Sequence, residues 1–317
     1  MKAKFLFKLL VLLVTLLNMQ LASADTTKPL TLVLDWFTNP DHAPIYVAQQ
    51  QGFFKQQGIE VNIINPADPS DGSKWVAAGK ADLAVTYQPQ LVIQVSQGLP
   101  LIRIATLIDN PLNCLAVSAD SNIKKIADLK GKTIGYSSGA VDKATLNIML
   151  EKNGLTINDI KLINVRYNLT QALLSGKVDA VTGIMRNFEL IEMELVGKPA
   201  RAFYVEENGM PSYDELVIVA NHNHLHDSRL PKFVNALQQG AQYLKAHPEN
   251  SWLQFAKNHP ELNNELNHQA WAATIPYFSV APANYDPVRY EKLALFLQQQ
   301  SLIQCIPTLT NYVAKFQ

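Results

Sequence analysis

Four short loops hold most of the side chains in this chain that could recognise or transform a small molecule. Asp35 and Trp36, with Asn39 and His42 close behind, follow the apolar run Leu32-Val33-Leu34. Thr86-Tyr87-Gln88-Pro89-Gln90 follows a second such run, Leu83-Ala84-Val85. Ser137-Ser138-Gly139 comes after Lys132 to Tyr136, and Met185-Arg186-Asn187-Phe188-Glu189 after Ala180 to Ile184. Trp36 and Tyr87 offer flat faces to an aromatic ligand. Asp35 and Glu189 are acceptors for N–H groups, and Glu189 could bond a ring nitrogen and an exocyclic amine together. The amides of Ser138 and Gly139, at a helix start, suit an anion or a carbonyl. Each residue has a plainer alternative: rim or core packing for the rings, a surface or capping acid for Asp35, an N-cap for the serines. For Glu189 the rival is stabilisation of a helix dipole.

Catalytic and metal chemistry find less support. The seven histidines show no nucleophile–base arrangement, and no GxSxG or phosphate-loop motif is present. His222, His224 and His226 would share one face of a strand at a spacing of two, and three imidazoles can hold zinc. Leu225 and Asp227 indicate instead that the strand has ended and a polar loop has begun. Cys114 and Cys305 are the only cysteines, and the apolar surroundings of Cys114 suit a small core residue better than a disulfide. No metal and no cofactor is expected.

All four loops come at the carboxyl ends of apolar runs, where ligands bind in open α/β sheets. Around the first, Pro44 can open a helix that ends near Gly52, and Ile59-Glu60-Val61 begins another strand. This is a β-loop-α-β unit. Ser70 or Asp71 can cap a helix holding Trp75 to Ala78. The stretch Val76 to Val85 then returns in form as Ala172 to Val181: helix end, Gly, Lys, one residue, Asp, strand. One such unit in each half predicts two similar lobes.

Further strands are expected at Leu101–Leu107, Leu112–Val117, Lys161–Val165 and Glu215–Ala220, with helices at Ser121–Leu129 and Asp142–Asn153. From Arg229 on, helices dominate: Leu230–His247, Glu249–Asn258, Leu266–Ile275 and Asp286–Gln300. The alternation predicts an α/β protein with a doubly wound sheet in each lobe and a ligand cleft between the lobes. Lobe one would comprise residues 25–115 and 217–317, and lobe two residues 116–216. Two of the candidate loops belong to each lobe, so closure would bring them together.

At 317 residues, 48% hydrophobic and 17% charged, the chain can bury two ordinary cores. Lys2, Lys4 and Lys8, an apolar stretch from Leu9 to Leu17 and Ala22-Ser23-Ala24 form an export signal, with cleavage expected before Asp25. No cysteine follows it to accept a lipid. The remainder carries 24 basic against 27 acidic side chains, which excludes the basic footprint that nucleic acid requires. No later apolar run reaches transmembrane length. A periplasmic monomer is expected.

LDWFTNPDHAPIYVAQQQGFFKQQGIEV (34–61), VTYQPQLV (85–92), GYSSGAVDKATL (135–146), LLSGKVDAVTGIMRNFELIEME (173–194) and PSYDELVIVA (211–220) together resemble the substrate-binding proteins of importers for thiamin pyrimidine precursors. The resemblance spans nearly the whole mature chain. It implies a type II periplasmic binding protein that serves the permease and ATPase of an ABC importer. The implied ligand is N-formyl-4-amino-5-aminomethyl-2-methylpyrimidine or hydroxymethylpyrimidine. Carried over by position, Asp35, Trp36, Tyr87, Glu189 and the Ser138-Gly139 turn would form the pocket, with Asn187, Tyr213 and Glu215 nearby. The looser resemblance to nitrate, sulfonate and taurine binding proteins would require a cation in these loops, and only Arg186 qualifies. AAGKADLAV and DPSDG are also similar to the pyrimidine synthase that consumes pyridoxal phosphate and a histidine of its own. That enzyme needs a lysine after the strand and a histidine four residues on. This chain has Thr86 and Gln90 there, so no aldimine could form.

Overall fold

The computed structural model describes residues 28–316; the expected export signal and its cleavage point lie outside the described residues. Leu30–Val33 forms β1, Ala43–Gln50 α1, Phe53–Gln56 α2 and Val61–Ile64 β2. Asp71–Ala77 (α3), Leu83–Thr86 (β3), Gln88–Ser96 (α4) and Leu101–Ile108 (β4) complete the first run. After a crossing, Asn113–Ser118 (β5), Thr133–Tyr136 (β6), Gly139–Lys152 (α5) and Lys161–Asn164 (β7) follow. Leu169–Leu174 (α6), Ala180–Met185 (β8), Glu189–Leu195 (α7) and Ala200–Tyr204 (β9) end the second run. The chain returns in Leu216–Asn221 (β10) and finishes in helices Arg229–Ala246 (α8), Pro248–Asn258 (α9), Glu265–Thr274 (α10) and Pro287–Gln299 (α11).

Two five-stranded sheets result, ordered β2-β1-β3-β10-β4 and β7-β6-β8-β5-β9. They share one plan: three parallel strands, then a fourth, β10 or β5, antiparallel to both neighbours. That fourth strand arrives directly from the other sheet, which sets its direction.

The short repeat in the sequence is the pin that holds each sheet's first strand. Gly79 and Gly176 both take positive φ, 67° and 70°, ending their helices in the conformation glycine adopts without strain. The aspartate three residues later then turns back. Asp82 Oδ2 accepts the Thr31 amide at 2.8 Å, and Asp179 Oδ2 accepts the Thr133 amide at the same distance. Both carboxylates therefore satisfy a backbone donor at the start of the middle strand of the parallel trio, β1 or β6.

The four C-terminal helices fall where expected. Phe233, Leu237, Trp252, Phe255 and Trp271 join Leu30, Leu32 and Ile45 in one buried cluster over the first sheet. Buried Arg103 on β4 also ties the tail down, donating to the Pro282 and Ala283 carbonyls and to Thr106 Oγ1. The tail is not confined to the first sheet, however: α10 reaches α7 of the second. Two other expectations change. The helix expected over Ser121–Leu129 shrinks to a 3-10 turn at Ile126–Leu129, and β9 was unmarked because ARAFY is half-exposed along its whole length. Cys114 is buried and Cys305 exposed, and both are unbridged.

Gly240 shows how tightly the tail is seated. A Cβ there would meet the Pro44 carbonyl oxygen and lie 2.8 Å from Ala48 Cβ, so α8 crosses α1 with no room for a methyl group. Alanine is the better helix former, by about 1 kcal/mol. Overpacking against backbone costs more, about 1–3 kcal/mol. Gly240→Ala should therefore lower the melting temperature, measured by circular dichroism.

Candidate functional site

The four loops converge where the two sheets face one another. A tight cavity is lined by Asp35, Trp36, Asn39, Asp41 and Tyr87 from the first sheet's loops and by Gly183, Met185, Phe188 and Glu189 from the second. An adjoining cavity shares Tyr87, Gly183 and Met185 and adds Pro89, Asn113, Ser138, Val141, Asp142, Tyr213 and Glu215. A wider groove beside Asp214 and Arg289 receives no residue from the four loops, and there the two charges pair with each other.

Local structure explains how each side chain is held. Asp35 leaves β1 and is fixed at both oxygens: His42 Nε2 lies 2.9 Å from Oδ1, and the Tyr87 hydroxyl donates to Oδ2 at 2.8 Å. The Asn39 amide donates to His42 Nδ1 at 3.4 Å, which leaves the ring proton on Nε2, facing Asp35. Tyr87 caps α4, so its ring hangs over the cleft at the end of β3. Glu189 opens α7 and accepts the Met185 amide at 2.8 Å. Glu215 Oε2 accepts the amides of Leu112 (2.5 Å) and Asn113 (2.8 Å), with the Tyr213 hydroxyl at 3.3 Å. Glu215 thus ties together the two segments by which the chain crosses between sheets.

Several expected residues serve the cleft without lining it. His42 is fully buried behind Asp35 and acts as its orienting partner. Asn187 turns away, donating to Asp41 Oδ1 at 2.5 Å and Thr274 Oγ1 at 2.7 Å, and so joins the two halves of the molecule. The Ser138 amide is not available to a ligand, because it donates with the Ser137 amide to Asp142 Oδ2 at 2.6 and 2.9 Å. Gly139 lines neither cavity. Its φ of 56° lets the chain enter α5. His222–His224 forms a 3-10 turn after β10, so the three histidines do not share a strand face.

Asp41, Asn113, Asp142, Met185 and Phe188 were missed as site residues, although Asp41 sits within the first loop and Asp142 opens a predicted helix. Gly183 was missed as well. At φ 86° it sits in mid-strand, where a Cβ would come within 2.6 Å of the Asp142 carboxylate.

The electrostatics are one-sided. No lysine or arginine lines either cavity. Arg186, the one candidate cation, instead pairs with both oxygens of Glu206 at 2.8 Å and stacks 4.0 Å from the Tyr204 ring. Burial pushes Glu189 up to about 8, Glu215 to about 7, and Asp41 and Asp142 to about 6.

The family described as NMT1/THI5 like matches residues 39–251, most of the described chain, with three of the four loops and Asn39 and His42 of the first. The chain belongs to this family. Among relatives of this NMT1/THI5-like chain, a Haemophilus influenzae protein provisionally assigned to thiamine biosynthesis is 46% identical over 91% of this chain and 92% of its own. The formylaminopyrimidine-binding protein of Halalkalibacterium halodurans is 31% identical, covering 82% and 81%. A 4-amino-5-hydroxymethyl-2-methylpyrimidine phosphate synthase of Legionella pneumophila is 30% identical, covering 84% and 85%. In fold, the chain is similar to the alkanesulfonate-binding protein SsuA of Xanthomonas axonopodis pv. citri, with a TM-score of 0.73 over 91% of this chain and 98% of that one at 17% identity. The fold is thus that of the periplasmic binding proteins, as the paired sheets indicate. Among the described residues no helix is long and apolar enough to cross a membrane.

The raised acids fix a direction for stability. They hold protons more tightly folded than unfolded, so their contribution is complete below about pH 4 and is lost as pH rises through about 6 to 8. The melting temperature of ligand-free protein should fall across that window, and Glu189→Gln should flatten the upper part of the fall. A profile rising from pH 5 to 8 would contradict the assignment.

Proposed function

We propose that this chain is a periplasmic receptor that captures a small aminopyrimidine of thiamin biosynthesis and presents it to an ABC importer. The observation that carries this reading is a cleft with aromatic walls, lined by carboxylates and free of lysine and arginine. Trp36, Tyr87 and Phe188 offer ring faces and edges to a flat heterocycle. A nitrate or sulfonate would find no lysine or arginine there, which disfavours the anion-receptor reading. Glu189, held up near 8, can share its proton with a ring nitrogen while accepting from the exocyclic amine. The formylaminopyrimidine-binding relative supports the same ligand class.

The receptor does no chemistry on its ligand. A Schiff base with pyridoxal phosphate needs a lysine amine in the cleft. Buried Thr86 ends β3, and Gln90, one helical turn beyond, donates to Ser73 instead. Mixing with pyridoxal phosphate should therefore yield no aldimine absorbance, and one borohydride-reducible lysine would restore the synthase reading.

Calorimetric titration with hydroxymethylpyrimidine, its formylaminomethyl analogue, taurine and nitrate tests the ligand class. The pyrimidines should bind and the anions should not. Charge-assisted hydrogen bonds contribute about 1.5–3 kcal/mol, so Glu189→Gln should weaken pyrimidine binding about tenfold or more. Trp36→Ala or Tyr87→Ala should each cost about 1–3 kcal/mol of stacking. Tighter binding of taurine or nitrate than of either pyrimidine would overturn the proposal.

A further inference from the structure

The adjoining cavity lies along the crossing segments, and its polar groups are unbalanced. Its floor is Asn113 and Glu215, at the two crossings, and its wall is Asp142 with Ser138. The backbone amides and the tyrosine hydroxyl beside its acids are already committed to them, which leaves the Asn113 side-chain amide and the Ser138 hydroxyl as its side-chain donors. The Leu112 and Asn113 amides and the Tyr213 hydroxyl all go to Glu215 Oε2, and the Ser137 and Ser138 amides both go to Asp142 Oδ2. Acceptors remain. Asn113 is 5% exposed, and its buried Oδ1 has no hydrogen-bond partner among the described residues. No lysine, arginine or histidine lines this cavity to supply a donor or a charge. A buried acceptor left unpaired costs about 1–3 kcal/mol, so the cavity is incomplete without a guest that donates.

We infer that this second compartment receives a short arm ending in a primary ammonium, carried on the ring that occupies the first compartment. The inference rests on the aminopyrimidine reading and extends it to the substituent. A primary ammonium brings three N–H donors and one positive charge, and three side chains await them: Asn113, Asp142 and Glu215. A hydroxymethyl arm brings one donor and no charge. A formylaminomethyl arm brings one donor, no charge, and a carbonyl oxygen that gains nothing from the two carboxylates. The shared wall of Tyr87, Gly183 and Met185 is where the arm would leave the ring. Gly183 is the residue that leaves space beside the Asp142 carboxylate. Burial already lifts Glu215 to about 7 and Asp142 to about 6, and in Glu215 it outweighs the attraction of Arg186.

The test is calorimetry with three pyrimidines that share the 4-amino-2-methyl ring and differ at position 5: aminomethyl, formylaminomethyl and hydroxymethyl. The aminomethyl compound should bind wild type about tenfold more tightly than either other, a charge-assisted contribution. Glu215→Gln should remove most of that advantage, since the charge is lost while one acceptor and the shape are retained. Because Glu215 also ties the crossings, Asn113→Ala is the second variant. The Asn113 side chain makes no hydrogen bond that the fold would lose, and its removal should reduce the aminomethyl preference without changing the melting temperature of the empty protein. Equal or tighter binding of either neutral arm to wild type overturns the inference and leaves the pyrimidine reading standing. Failure of all three to bind overturns both.

Discussion

Five carboxylates, from Asp35, Asp41, Asp142, Glu189 and Glu215, are buried between two sheets, and no lysine or arginine lines the cavities they border. Much of the site is a response to that constraint. A buried charge is tolerated only when hydrogen bonds or a counterion replace water. Asp35 takes His42 and Tyr87, Asp142 takes two amides, and Glu215 takes two amides and a phenol. Glu189 takes only the Met185 amide from another residue. It is also the acid that burial shifts furthest, to about 8. The least satisfied acid therefore stands in the aromatic compartment, where a ligand that donates hydrogen bonds relieves the most strain.

The same acids connect the site to the relative placement of the sheets. Asp41 lies in the first sheet's loop and receives Asn187 from the second, while Thr274 of the tail donates to the same Asp41 oxygen at 3.2 Å. At the mouth, Tyr167 from beyond β7 sits between Trp36 and Phe37, with ring centroids 4.7 and 4.2 Å away, and its hydroxyl donates to the Pro66 carbonyl. At the back, Glu215 joins both crossings. A ligand touching Trp36, Asp41 or Glu215 thus touches a group that also holds the two halves together. Any ligand that fills the cleft therefore acts on residues that also set the spacing of the two sheets.

Much of this was legible in the residues. The βα alternation, the four loops and the helical tail follow from period and turn chemistry. The Gly-Lys-x-Asp repeat proved more informative than its length suggested, because Asp82 and Asp179 make the same bond to the same place in each sheet. What could not be read was direction. His42, Asn187 and Ser138 sit in the expected loops, but their polar atoms satisfy neighbouring acids, and only packing decides which way a loop side chain turns. Arg186 likewise sits beside Glu189 in sequence and pairs instead with Glu206 across the sheet edge. Burial was equally hidden: Asp142 looks in sequence like a first-turn helix acid and is 2% exposed in the fold.

The central claim, that a donor-rich aminopyrimidine completes this acidic cleft, is tested most directly by what the protein carries. Protein exported to the periplasm and purified without unfolding can be examined by native mass spectrometry, with the released small molecule fragmented and identified. The account predicts a single bound ring compound whose fragments contain a 4-amino-2-methylpyrimidine. Recovery of a sulfonate, nitrate or a pyridoxal adduct in its place would contradict it.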